Sequence, residues 1–411
     1  MNNYIIELII YLIIFLFSAE IILQALVGWL KISFQWLITK KDEFPINNQN
    51  EIDQFIKKNF SENTGWDRKV NSEGFEYLNG IKTFFKISSD GYRENENNFE
   101  NAKVAVFGDS YAFCRYVNNN ETWENFLEKN TGIITKNYGV GNFGIDQAIM
   151  KYFNCNIDKS TKLIILAFVP ETIARIHSYW KHYLEFGNKF GFKPKYSLEK
   201  NKLIKIPNVL DQNSTVQSLK NNTSFIKKND IFYKKKFIPL MFKFPYLLTY
   251  FKFFSRNNTI FSNLLIFHIL KKINNKKAKK FYNNAYSKIV KDNIKDSYKM
   301  YEDIKYTQLF EILINDFKEK LLSKNRKLLL LIMPQLYDVK NAKYEKLSYQ
   351  IFFEKIKKNF NILDLTDDFK NFPNYEDFFL EDKYGGHLSA KGNMFVADLL
   401  NNKIKKTLEN I

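Results

Sequence analysis

The sequence predicts an α/β protein: a parallel sheet covered on both faces by helices, with a helical insertion and an N-terminal transmembrane helix. Three observations carry this. Short apolar runs, among them Val104–Phe107, "LIILAF" at 163–168 and "LLLLIM" at 328–333, alternate with helical stretches. That is the pattern of strands buried on both faces. A basic, aromatic segment interrupts the alternation, and Tyr4 to Leu30 is almost wholly apolar.

The N-terminal run is broken only by Glu7, Ser18, Glu20, Gln24 and Gly28. A helix of this length spans a hydrocarbon core of ~30 Å. No small-x-small cleavage site ends it, so residues 1–41 read as an uncleaved anchor and its flank. The alternative is a buried soluble helix. Glu20 is expensive in lipid and calls for a partner or a proton. Lys31, Lys40 and Lys41 follow the span, a bias that would leave the large domain in the cytoplasm. Residues 42–102 are polar and mixed, with the turn-rich "SSDGYRENENN" at 88–98. They read as a linker with a short N-terminal lobe.

The α/β domain occupies 103–411. Its strands are expected at Val104–Phe107, Ile133–Asn137, Leu163–Phe168, Leu328–Met333 and Ile362–Leu365. Helices are expected at Trp123–Lys129, Asp146–Asn154, Leu309–Leu322, Tyr344–Lys358 and Ala390–Thr407. The insertion, 176–300, falls between the third and fourth strands. Within it, residues 224–280 hold fourteen Lys/Arg and one acid, Asp230, interleaved with Phe and Tyr. The chain's net charge of +18 suits nucleic acid or anionic membrane. With an anchor already present, the segment reads as a membrane-surface contact or a lid and not as a nucleic-acid site. A solvated insertion is the plainer alternative. Two cysteines and four histidines show no zinc-type spacing, and no metal or cofactor is expected.

The first strand ends at Gly108-Asp109-Ser110, where open α/β sheets bind ligands. A serine there is a helix N-cap or a nucleophile. Near the C-terminus, "LEDKYGGHLSAKGN" (380–393) sets His387 on a glycine loop close to Glu381 and Asp382. Placed at one sheet edge, His387 would take the Ser110 proton and an acid would fix its tautomer. Cys114, four residues past Ser110, reads as packing on the next helical turn; His177 and His182 read as cleft wall or packing.

"VFGDSYAF" (106–113), "NYGVGNFGIDQA" (137–148) and "GGHLSAKGN" (385–393) resemble the GDSL/SGNH hydrolases in order and placement. The similarity covers 103–175 and 305–405. It implies a flavodoxin-like three-layer α/β fold and an ester-cleaving or acyl-transferring site. Carried over, Ser110 is the nucleophile and His387 the base. The family acid usually lies three residues before the histidine, where Tyr384 stands, so Asp382 is the expected acid and Glu381 the reserve. The resemblance assigns the oxyanion donors to Ser110, Gly141 and Asn142. Pro170 stands where the family's oxyanion asparagine is expected, and Glu171 and Arg175 are expected to face the substrate. By analogy with membrane-bound bacterial members, the substrate is an O-acylated cell-envelope or exported carbohydrate, with the domain on the exterior or periplasmic side. The alternatives are an inactive carbohydrate-binding or assembly protein on this fold, and a lipid-active esterase lidded by the insertion.

Overall fold

The chain begins with α1 (Asn2–Ser33), the one helix among the described residues long and apolar enough to cross a membrane. The computed structural model describes residues 2–96, 100–382 and 384–409, so the last two residues of the 88–98 stretch lie outside it. Tyr4 to Phe17 is exposed along its whole circumference. Further along, Leu23, Val27, Leu30, Phe34 and Leu37 recur at helical spacing and are buried against Phe242, Ile260, Phe261 and Leu264 of the insertion. The second half of α1 is therefore part of the folded domain.

Residues 42–96 carry the short lobe expected beside the linker, and it packs onto the main core. α2 (Gln49–Lys58) buries Ile52, and Ile46 and Phe60 join it in the main core. A hairpin of β1 (Ser72–Leu78) and β2 (Ile81–Ile87) turns through Asn79 and Gly80, at φ 51° and 86°. These are the positive dihedrals that a two-residue hairpin turn requires. Arg93 is almost fully buried and donates to the carbonyls of Phe113, Cys114 and Val117 at 2.6–2.8 Å.

The sheet follows. Its elements are β3 (Val104–Gly108), α3 (Trp123–Thr131), β4 (Thr135–Asn137), α4 (Ile145–Asn154) and β5 (Leu163–Phe168). The insertion contains a hairpin, β6 (Lys195–Glu199) and β7 (Lys202–Ile206), so it is not wholly helical as expected. It continues through α5 (Tyr246–Lys252), α6 (Phe254–Lys271) and α7 (Asn275–Tyr301). Then come α8 (Ile304–Leu322), β8 (Lys327–Ile332), α9 (Ser348–Ile356), β9 (Ile362–Asp364) and α10 (Ala390–Glu409). The helix expected over 344–358 is shortened to α9, and a further helix, Leu336–Ala342, precedes it.

The five strands are parallel in the order β9-β8-β5-β3-β4. In chain order that is 2-1-3-4-5, the flavodoxin-like arrangement, whose switch point lies between β3 and β5. Alternate strand residues face opposite layers. Ala105, Phe107, Ile164, Leu166, Leu330 and Ile332 pack with α4, α8 and α9. Val104, Val106, Leu163, Ile165, Leu329 and Leu331 pack with α3 and α10. Burying each such aliphatic side chain contributes about 1.5–3 kcal/mol. At Gly108 a Cβ would come within 1.8 Å of the Ala167 carbonyl oxygen, so the close approach of β5 demands glycine there.

Candidate active site

Ser110 leaves β3 at the switch point. No helix follows, against the expectation for Cys114: residues 110–116 form consecutive turns. Asp109 organises the first of them, accepting the N–H groups of Tyr111 (2.9 Å) and Val169 (3.0 Å) and the Arg175 guanidinium (3.2 Å). Asn137 at the end of β4 donates to the Ala112 carbonyl at 2.7 Å. The Cys114 thiol is buried beside the Glu124 carboxyl at 3.3 Å, and burial pushes its pKa well above the ordinary range.

His387 arrives from the loop before α10. Its Nε2 lies 2.9 Å from Ser110 Oγ, and its Nδ1 meets Asp382. Tyr111 stacks on the imidazole at 5.1 Å and donates its hydroxyl to the Gly386 carbonyl at 2.6 Å. Asp382 reaches back across Gly385 and Gly386, at φ 108° and 89°, and accepts the N–H groups of Tyr384 (2.8 Å), Gly386 (3.0 Å) and His387 (3.1 Å). Burial alone would raise the Asp382 pKa; the imidazole and these N–H donors bring it down to about 2. An ionised Asp382 holds a proton on Nδ1 and leaves Nε2 free to accept from Ser110. Tyr384 contributes only its N–H to the acid. Glu381 gives its carbonyl to Asn79.

Asn142 lines the cavity that holds Ser110 and His387, and its φ of 69° is left-handed. Gly141 lines an adjoining cleft. Three consecutive carbonyls here are each held by a side chain. Trp66 donates to Gly141, Lys181 to Asn142 and Arg175 to Phe143, each at 3.1 Å. A trans peptide sets its C=O and N–H in opposite directions. Holding the Gly141 oxygen therefore fixes the direction of the Asn142 N–H. Among the described residues, the backbone N–H groups of Ser110, Gly141 and Asn142 donate to no protein acceptor. Pro170 supplies no donor, and its carbonyl accepts the Tyr301 hydroxyl of α7 at 2.7 Å.

Glu171 and Arg175 both line the Ser110 cavity. The Arg175 guanidinium is already engaged by Asp109, Glu171 (3.1 Å) and the Phe143 carbonyl. Burial works against its charge, but the carboxylates of Glu171, Glu185 and Asp109 hold it firmly protonated. Burial, with Glu185 nearby, raises the Glu171 pKa. His177 and His182 are packing residues, bonded to the carbonyls of Tyr306 (3.1 Å) and Asp42 (2.7 Å). Burial lowers their pKa values to about 3 and about 4. Among the described residues, no cluster of His, Cys, Asp and Glu could hold a metal ion.

Trp66, Glu76 and Arg93, which buttress the site from the N-terminal segment, are absent from the motifs. The Asn79-Gly80 pair between alternating residues was the signal for the hairpin that carries Glu76. No family model matches the chain, and no curated protein matches it. Among solved structures, "a putative lipolytic protein of G-D-S-L family from Desulfitobacterium hafniense DCB-2" aligns with 74% of this chain and 99% of its own, at 12% identity and a TM-score of 0.32. The chain has a five-stranded parallel α/β fold with a buried Ser–His–Asp arrangement at its switch point.

Proposed function

We propose that the protein is a membrane-anchored serine ester hydrolase or O-acyltransferase of SGNH type. The observation that supports this is the 2.9 Å contact from Ser110 Oγ to His387 Nε2, with Asp382 on the other ring nitrogen. Ser110 Oγ attacks the ester carbonyl carbon while its proton passes to His387 Nε2. The negative charge on the carbonyl oxygen is met by the N–H groups of Ser110 and Asn142 and by the Asn142 amide, in place of the donor that Pro170 lacks. Collapse expels the alcohol, which takes the proton from His387. Water or a sugar hydroxyl then attacks the acyl-serine, losing its proton to His387; the acyl–Oγ bond breaks and Ser110 takes that proton back.

The anchor is α1. The exposed Phe244, Leu248, Phe251 and Phe254 around α5, with Ile269 and Ile273 at the end of α6, support a second contact with the bilayer beside it. By family analogy the substrate is an O-acylated carbohydrate of the envelope and the domain lies on the outer side.

The test is covalent labelling of the full chain by a fluorophosphonate. Wild type is expected to label and Ser110→Ala to remain unlabelled. An unlabelled wild type would favour the second reading, a non-catalytic carbohydrate-binding protein, which the missing Pro170 donor supports.

A further inference from the structure

Arg115 lies five residues beyond Ser110, and its N–H donates to the Ser110 carbonyl at 3.2 Å. Both its neighbours, Cys114 and Tyr116, have left-handed backbones at φ 57° and 65°. Such conformations cost of order 1–3 kcal/mol each for non-glycine residues and persist only where surrounding structure imposes them. Here Arg93 holds the carbonyls of Phe113, Cys114 and Val117, and Glu76 accepts the Tyr116 N–H at 2.9 Å. The chain is bent so that the Arg115 side chain emerges beside the nucleophile.

The guanidinium is fixed at one corner. Its Nε donates to Glu76 Oε1 at 3.1 Å, and its plane lies over the Tyr116 ring at 4.5 Å. Its two terminal nitrogens meet no acceptor among the described residues. Arg68 also turns to Glu76 Oε1, at 3.4 Å, and rests on the faces of Phe85 and Phe113 at 4.5 and 4.7 Å. Two arginines share one carboxylate, which leaves a surplus positive charge. Arg115 lines both the Ser110 cavity and the adjoining cleft, and Arg68 lines the cleft. The acid in the cleft wall, Asp67, is paired with Lys151 at 2.7 Å. Trp66 adds an aromatic wall to the same cleft.

We propose that this cleft binds an anionic group, carboxylate or phosphate, on the alcohol portion of the substrate, with the free fork of Arg115 as its main ligand and Arg68 in support. A fixed guanidinium with two unspent terminal nitrogens matches the paired oxygens of either anion. This rests on Ser110 being the nucleophile, and it narrows the substrate class to acidic esters, such as acylated uronates or acylated sugar phosphates. Trp66 would lie against the sugar ring.

The experiment has a binding arm and a kinetic arm, both on the full chain in detergent. In the first, methyl glucuronide, glucose 6-phosphate and methyl glucoside are titrated by calorimetry. The two acidic sugars are expected to bind more tightly than methyl glucoside. Arg115→Gln should weaken the acidic ones about 10- to 100-fold, as expected for a charge-assisted pair. Arg68→Gln should weaken them less, and it supplies a second test if Arg115→Gln fails to fold. In the second arm, O-acetylated forms of the same sugars are hydrolysed. Arg115→Gln should raise KM for the acidic esters at least tenfold more than for the neutral one; Arg115→Lys should restore phosphate better than carboxylate. Equal binding of neutral and acidic sugars by wild type, or equal effects of Arg115→Gln on all three, would overturn the proposal. Failure of fluorophosphonate labelling would instead strike the serine reading, and the binding arm would still decide the anion site.

Discussion

Glu124 sits inside α3 with its carboxyl fully buried, and it illustrates what single residues in this protein conceal. By sequence it is an ordinary acid on a helix. In the fold, burial raises its pKa to about 8, with only partial relief from Cys114 and Arg93. A carboxyl whose folded pKa lies above its unfolded value, ~4.3, holds a proton in the fold that the unfolded chain releases. Its stability cost is absent below the unfolded pKa, grows as pH rises from there to about 8, and levels off above. Glu124→Gln should therefore melt close to wild type at pH 5 and above it at pH 8. Parallel melting curves across that range would contradict the assignment. Ser110, His387 and Asp382 were legible because each lies in a short local motif. Glu76 and Arg93 were not, since a polar residue opposite a carbonyl brought in from elsewhere leaves no local pattern.

At the scale of elements, the loop 141–143 is held from outside. Its three carbonyls are tied to Trp66, Lys181 and Arg175, residues from the N-terminal segment and from the stretch after β5. Lys181 is buried, which lowers its pKa to about 8. It holds the Asn142 carbonyl, one peptide beyond the N–H that Trp66 orients, so it is a positioning residue. Lys181→Met should lower kcat by roughly tenfold, less than the ~10²–10³ that outright loss of one oxyanion donor brings. KM for a small neutral ester should stay nearly constant, and Lys181→Arg should recover part of the rate. A rise in KM at unchanged kcat would assign Lys181 to substrate binding instead. The core strands and helices could be read from periodicity to within a few residues. The hairpin β1–β2 escapes a reading by hydrophobicity because its alternation is inverted: Phe75 and Tyr77 are exposed, while Glu76 faces inward.

Over the whole molecule, the second half of α1 and the insertion form one packed unit, joined by the stripe from Leu23 to Leu37 and by Glu20. The Glu20 carboxylate accepts the N–H groups of Tyr246 and Leu247 at the start of α5. That answers the need for a partner to this acid. It also places the exposed apolar residues around α5 and α6 beside the span. For the proposed bilayer contact, spin labels at Phe254→Cys and Ile273→Cys of the reconstituted full chain should be relaxed more by oxygen than by a water-soluble nickel chelate. A label at the exposed Tyr344→Cys should show the reverse. Nickel-dominated relaxation at 254 and 273 would make the insertion a solvated one. No reading of one segment alone could find this arrangement, because the residues that meet lie more than 200 positions apart.

The docked end of α1 sets the distance between the span and the Ser110 cavity. A helix of 32 residues is ~48 Å long, and a bilayer core takes up ~30 Å of it. What remains is gripped by the domain, and Gln35 and Trp36, just past its end, already line the wall of the Ser110 cavity. No leash separates α1 from the cavity. With α1 in a bilayer, as proposed, Ser110 rides on a short rigid post at a constant height. It would then patrol a thin layer over the lipid in two dimensions, and on the proposed function an ester would have to be delivered into that layer to be cleaved.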